Sequence, residues 1–284
     1  LHNNQKREAR NQKRTMTYWQ ALFLAIVEGL TEFVPISSTG HMIIASAVLG
    51  MRPDAFTKLY TVVIQLGAIL SVFVVYWRRF FQSWDFYLKL LAAFAPVVVV
   101  GLTLKKYIDM LLESVPVVAL MLLVGGGVLL FVDKWFPQED PNAGGRPVTT
   151  PGFREAFIIG VFQCLAVVPG VSRSAATIIG GLTQKLTRRA AAEFAFFLAM
   201  PTMAAASVKD AWDFYKDGHR LSTHDVQILA FGNAVAFVVA LLAIRFFVEF
   251  VSRRGFRVFG IYRILVGGIL LVLLTLGVKL QIVD

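Results

Sequence analysis

The sequence predicts an all-α polytopic membrane protein made of two inverted-topology repeats, each a broken re-entrant helix pair followed by three transmembrane helices. Three observations predict it. The chain is 57% hydrophobic and only 16% charged over 284 residues, whereas a soluble domain carries about 45–50% apolar and about 25% charged residues. Six runs with few or no charges approach the roughly 20 residues that a spanning helix needs. Two further apolar stretches are each interrupted by Pro, Gly and Ser. The single cysteine, Cys164, excludes an internal disulfide scaffold, and the apolar content excludes a disordered chain. The net charge of +10 does not point to nucleic acid. Lys6, Arg7, Arg10, Lys13 and Arg14 crowd a polar tail, and most other basic residues flank apolar runs, where membrane topogenesis requires them.

In chain order, residues 1–15 are polar and lack the apolar region of a signal peptide. They are expected to be a cytosolic-type tail, or residues upstream of a start at Met16. Residues 16–284 are then a single transmembrane domain, with repeat one over about 18–136 and repeat two over about 153–280. An apolar segment carrying Glu28 and Glu32 leads into 33–51, which has no charged residue but is broken by PISSTGH at 35–41. Proline removes a helical hydrogen bond, and non-helical backbone at membrane depth must line a cavity or be buried in protein. Spans follow at 59–77, 90–104 and 114–132. The pattern then restarts: 156–168 is apolar, PGVSRS interrupts at 169–174, and a short apolar piece runs to Leu182. Spans at 194–208, 226–244 and 264–278 complete it. The five tryptophans (Trp19, Trp77, Trp84, Trp135, Trp212) sit near run ends, where an aromatic belt places them.

The halves correspond in detail. Glu28 precedes Ser37 by the interval that separates Gln163 from Ser172, and LVGG at 123–126 recurs at 265–268. Three spans per repeat is an odd number, so the second repeat enters the membrane with opposite orientation, as in many transport folds. Basic residues at Arg78/Arg79, 134–154, Lys185/Arg188/Arg189 and Arg253/Arg254/Arg257 place those ends in the cytoplasm. Lys105/Lys106, Lys209/Lys216/Arg220 and Lys279 then lie outside.

Chemistry concentrates at the two breaks. Glu28 and Glu32, four residues apart, share a helix face; two carboxylates at membrane depth need a cation, a proton or water. They suit a divalent metal or an acid–base pair. Ser37, Ser38, Thr39 and His41 follow at a helix start, where exposed amides attract anions, although Ser and Thr there also suit N-caps. In repeat two, Gly170, Ser172, Arg173, Ser174 and Thr177 form the counterpart. The planar guanidinium of Arg173 suits bidentate phosphate or carboxylate binding, or a structural pairing with Glu28 or Glu32. Gln65 and Glu193 read as helix–helix hydrogen-bonding groups, and Cys164 as core. Acids, a metal and an anion clamp in one membrane pocket are the means of phosphoryl transfer, and a phosphate on a lipid tail explains an intramembrane site.

EGLTEFVPISSTGH at 28–41 closely resembles the E-x-x-x-E segment and following Ser-Ser-Thr-Gly-His of the undecaprenyl-diphosphate phosphatases, and PGVSRSAAT at 169–177 matches that family's P-G-x-S-R-S-x-x-T motif. The similarity runs from about Met16 to the C-terminus, and the basic tail is its departure. The resemblance implies hydrolysis of undecaprenyl diphosphate to undecaprenyl phosphate and inorganic phosphate, recycling the carrier lipid of cell-wall polymers, with bacitracin resistance when in excess. It implies a Mg²⁺ or Ca²⁺ requirement, a bacterial inner-membrane location and a site open to the periplasmic face. Carried over, Glu28 and Glu32 bind metal and Glu32 is also a base; Ser38 is the candidate nucleophile, with metal-bound water as the alternative; His41 is the acid/base. Arg173 clamps the diphosphate, and Ser37, Thr39, Gly170, Ser172, Ser174 and Thr177 bind substrate. The expected partners are the polyprenyl diphosphate and the bilayer, with no nucleic acid and a homodimer allowed.

The main rival is an ion-coupled transporter or lipid flippase on the same kind of scaffold. Turnover of dissolved substrate without a gradient separates the two. An acid-phosphatase-type lipid phosphatase needs a second histidine after its Ser-Arg element, and no His occurs between His41 and His219. An intramembrane serine protease has no use for Arg173 and two glutamates.

Overall fold

Six helices of the computed structural model are long and apolar enough to cross a membrane. Described are residues 16–51, 54–81, 83–104, 107, 111, 114–137, 150–278 and 280. The tail 1–15, the loop residues 138–149 and Lys105, Lys106 and Lys279, all used in the charge argument, lie outside the described residues. The chain opens with a broken pair, α1 (Tyr18–Thr31) and α2 (Ser38–Val48), followed by α3 (Ala55–Val75), α4 (Trp84–Thr103) and α5 (Val115–Trp135). A second broken pair, α6 (Phe153–Gln163) and α7 (Arg173–Thr183), is followed by α8 (Arg188–Lys216), α9 (Thr223–Arg254) and α10 (Arg257–Thr275). The six spans and both breaks fall where the apolar runs and the Pro/Gly/Ser interruptions place them.

The ends differ from the runs for identifiable reasons. Helix α9 begins three residues before the uncharged run at 226–244, where Ser222 and Asp225 form a reciprocal capping box, and continues beyond the run to Arg254. Thr187 caps α8 through Ala190 N–H, so that helix begins at Arg188 rather than near Phe194. Helix α10 begins seven residues before the run at 264–278: Asp133, at the end of α5, accepts from the amides of Phe256 (2.8 Å) and Arg257 (3.1 Å). A carboxylate at a helix N-terminus satisfies orphan donors and opposes the helix dipole.

Each broken pair packs on a helix of the other half. Helix α1 lies on α9, and α6 lies on α4. Helices α3 and α8 pack together, as do α5 and α10. Glycine permits the last contact: a Cβ on Gly260 would lie 2.8 Å from the Gly126 carbonyl oxygen, and one on Gly126 would lie 2.9 Å from that of Gly260. The repeated LVGG segments lie in this crossing, where Gly125, Gly126 and Gly267 are closely packed. All five tryptophans are exposed (Trp84 at 83%), as are apolar side chains such as Leu91, Leu102, Phe246 and Leu265, the expected lipid-facing surface.

The basic ends gather at two poles. Arg188 pairs with Asp133 at 2.7 Å, and Arg189 and Arg79 with Glu193 at 2.9 and 3.9 Å. That joins the starts of α8 and α10 to the end of α5 and to the short 3₁₀ turn Trp77–Phe81. Glu193 thus makes ion pairs rather than apolar-helix hydrogen bonds. At the other end of α8, Lys209 pairs with Asp213.

The α5–α10 crossing yields a contrast. Gly260→Ala forces a methyl against backbone and should destabilise the detergent-solubilised protein by about 1–3 kcal/mol. Gly268→Ala meets open space and should be neutral or slightly stabilising. Equal thermal midpoints for the two variants would contradict the crossing.

Candidate functional site

Between the two breaks lies a polar cavity of about 220 Å³. Its wall takes Glu32, Ser37, Ser38 and Thr39 from the first break and Pro169, Gly170, Ser172 and Arg173 from the second. Gln65 of α3, Ala166 before the second break, and Thr202, Met203 and Ala206 of α8 complete it. Pro201, inside α8, adjoins this stretch. It removes one helical hydrogen bond, while Thr202 Oγ1 donates to the Leu198 carbonyl at 2.9 Å.

The backbone at each break is unusual in the same way. Ser37 (φ 68°, ψ 101°) and Ser172 (φ 76°, ψ 116°) both immediately precede a helix in a left-handed-side conformation that residues with a Cβ rarely adopt. Such strain costs on the order of 1–3 kcal/mol per residue and persists only where surroundings enforce it. Here it aims the starts of α2 and α7 at the cavity, adding two positive helix ends. Ser172 Oγ accepts from Ala175 N–H at 3.3 Å, whereas Ser37 makes no such cap.

Arg173 and Glu32 join the breaks chemically. Arg173 Nη2 donates to Glu32 Oε1 at 3.0 Å, and Ser38 Oγ donates to Glu32 Oε2 at 2.5 Å. The structural pairing of Arg173 is therefore present, but it uses only part of the guanidinium: Nη1 is buried with no hydrogen-bond partner among the described residues. An unsatisfied buried donor of this kind is costly and calls for an acceptor. Ser174 Oγ ties the breaks again, donating to the Val34 carbonyl at 2.9 Å and lying 3.0 Å from Ser172 Oγ.

The remaining site residues are placed differently. Thr177 is buried, and its hydroxyl donates to the Arg173 carbonyl at 2.8 Å, holding the first turn of α7 rather than facing the cavity. His41 Nδ1 lies 2.8 Å from the Ser37 carbonyl, so that nitrogen carries the proton. Its Nε2 then accepts from the Tyr262 hydroxyl at 2.8 Å, the two rings stacked 6° from parallel. Glu28, one turn before Glu32, is 1% exposed. Its repeat-two counterpart Gln163 is equally buried and donates to Thr202 Oγ1 at 3.2 Å.

The donor set fits a hard divalent cation. Glu32, Ser37, Thr39 and Gln65, all residues with side-chain oxygen, line the same cavity. No group of three or more His, Cys, Asp or Glu residues able to hold a metal occurs among the described residues. A cation held there would have to take much of its coordination from water and phosphate oxygen, as Mg²⁺ usually does.

Sequence reasoning missed three contributors. Gln65, read as a helix–helix group, lines the cavity, and so does Thr202. Arg263 of α10 is fully buried (0% exposed) and donates to five backbone carbonyls. In the sequence Arg263 immediately precedes the uncharged run at 264–278, where it resembles an ordinary flanking basic residue.

Comparison with known proteins agrees with this construction. A family model described as "Bacitracin resistance protein BacA" matches residues 21–269. The undecaprenyl-diphosphatase of Flavobacterium psychrophilum is 57% identical over 258 residues, covering 91% of this chain and 96% of the relative. That of Porphyromonas gingivalis is 49% identical over 287 residues, covering 94% and 100%, and that of Bdellovibrio bacteriovorus is 48% identical over 268 residues, also covering 94% and 100%. The six spans, the two facing breaks and these matches together make the chain a member of the bacitracin resistance protein BacA family.

Proposed function

We propose that this protein hydrolyses undecaprenyl diphosphate to undecaprenyl phosphate and inorganic phosphate, recycling the carrier lipid of cell-wall polymers. Its relatives bear the name of that activity. One observation of the site carries the reading: the Ser38 hydroxyl donates at 2.5 Å to Glu32, whose other oxygen faces an arginine with a free buried nitrogen. That is a nucleophile, a base and an anion clamp inside a membrane protein.

The chemistry follows from those contacts. The terminal phosphate sits between the starts of α2 and α7, accepting from Arg173 Nη1, from the Thr39 hydroxyl and from the Ser172 hydroxyl once its proton turns away from Ser174 Oγ. Ser38 Oγ attacks phosphorus and its proton passes to Glu32. The bond from phosphorus to the bridging oxygen breaks, undecaprenyl phosphate leaves, and water then releases phosphate from the serine. We assign His41, held by Ser37 and Tyr262, to fixing the turn before Ser38 rather than to the first proton transfer. Glu32, with Glu28 one turn before it, would hold a divalent cation, which would supply neutralisation of phosphate charge.

We further infer that the halves are inverted repeats. The crossed packing of α1 on α9 and α6 on α4, and the shared conformation of Ser37 and Ser172, support this. The pole carrying Arg79, Arg188, Arg189 and Arg257 then lies in the cytoplasm of a bacterial inner membrane, with the cavity open to the outer face.

Three outcomes test this reading. Purified protein in detergent should release phosphate from a polyprenyl diphosphate without any gradient, should stop in excess chelator and should recover with Mg²⁺ or Ca²⁺; full activity in chelator would remove the cation. Ser38→Ala should lose about a thousandfold or more in rate if serine attacks, against about tenfold to a hundredfold for Arg173→Lys, which keeps charge but not the planar donor pair. A Ser38→Ala loss of only a few-fold would assign the attack to water. In a Cys164→Ser background, cysteines at Arg220 and Arg253 should react with an impermeant thiol reagent from opposite sides; labelling from one side would overturn the topology.

A further inference from the structure

Arg263 has no place in the phosphoryl transfer just described, yet it is the largest fully buried side chain among the described residues. A guanidinium carries five N–H donors in a rigid plane, and each reaches a backbone carbonyl. Nη1 donates to Val171 (2.9 Å) and Pro35 (3.3 Å), Nη2 to Gly170 (2.8 Å) and Met121 (3.0 Å), and Nε to Leu122 (3.5 Å). Pro35 stands three residues before Ser38, and Val171 two residues before Arg173. A single nitrogen therefore bridges the two breaks. The preceding residue, Tyr262, donates to His41 Nε2, so α10 grips the first break twice. Backbone carbonyls at membrane depth need internal donors, but that need alone could be met separately in each break.

Resting on the phosphatase reading above, we propose that Arg263 is a positioning residue that sets the separation of the attacking Ser38 from the Arg173 clamp. It holds the carbonyls of both breaks on one planar group anchored to α5. Misplacement of reacting groups by about an ångström costs on the order of a hundredfold in rate, and here one side chain governs that distance without touching substrate.

Two variants perturb it from opposite directions. Arg263→Lys keeps the charge but has three donors for five carbonyls. Gly125→Ala leaves Arg263 in place but builds a methyl against the guanidinium, 2.8 Å from Cζ, at a helical position that favours alanine. It carries the test if the lysine variant does not fold. Both should lower kcat by about tenfold or more with KM within about threefold. Backbone hydrogen exchange should rise together in segments 34–40 and 168–174 and stay unchanged in α3 and α9. Combined with Arg173→Lys, the Arg263→Lys loss should be smaller than the product of the single losses, as for residues acting through each other. Unchanged kcat with both breaks loosened would reduce Arg263 to a structural group. Exchange rising in one break alone, or multiplicative losses, would equally overturn the proposal. If wild-type protein releases no phosphate, the phosphatase reading falls, and the exchange pattern alone still decides whether Arg263 couples the breaks.

Discussion

Non-helical backbone inside a bilayer must have its polar groups satisfied by protein, and this fold depends on how its two breaks meet that demand. Opening a helix at Pro35 and again at Pro169 frees carbonyls that lipid cannot solvate. The protein answers both with one group, the Arg263 guanidinium, which also donates to the Met121 and Leu122 carbonyls of α5. The arrangement has a consequence beyond satisfaction. Two breaks served by one donor must lie side by side, and their helix starts then face a common cavity. Gly170 at φ +90° allows the approach, since a Cβ there would press on the Val118 backbone.

The second dependence is electrostatic. Arg173 and Glu32, 14% and 8% exposed as side chains, form an ion pair across the breaks. A buried pair is weak support for stability, because desolvation offsets much of the attraction; removing one partner is what costs several kcal/mol. Its value here lies in pre-organisation. Glu32 is held as a charged acceptor for the Ser38 hydroxyl, and Arg173 is held with a nitrogen free for phosphate. In the proposed mechanism incoming substrate would change the partner of a fixed charge rather than create one, which is how electrostatic stabilisation avoids reorganisation during reaction.

Much of this was legible in the sequence. Apolar runs with belt tryptophans gave the six spans, and PISSTGH and PGVSRS marked the breaks because proline and glycine cannot continue a helix. The strings 28–41 and 169–177 named Glu32, Ser38, Ser172 and Arg173 before any geometry. Thr177 and His41 were placed by motif, but their hydroxyl and ring turn to local carbonyls and to Tyr262, partners that spacing does not encode. Arg263 was invisible for a related reason. Its acceptors are carbonyls between 92 and 228 residues away, and every residue type has a carbonyl. It also sits just before the uncharged run at 264–278, where a basic residue resembles an ordinary flank. Helix ends were misjudged where caps such as Asp133 act from another segment.

In the proposed mechanism the two breaks form one site in which Ser38, bonded to Glu32, attacks a phosphorus held by Arg173. The most direct measurement is an acid quench within the first turnover of purified protein with polyprenyl diphosphate labelled at the terminal phosphorus. The account predicts covalent label, stable to acid, on the peptide containing Ser38, appearing before free phosphate. A burst of free phosphate with no labelled peptide at any time would contradict it.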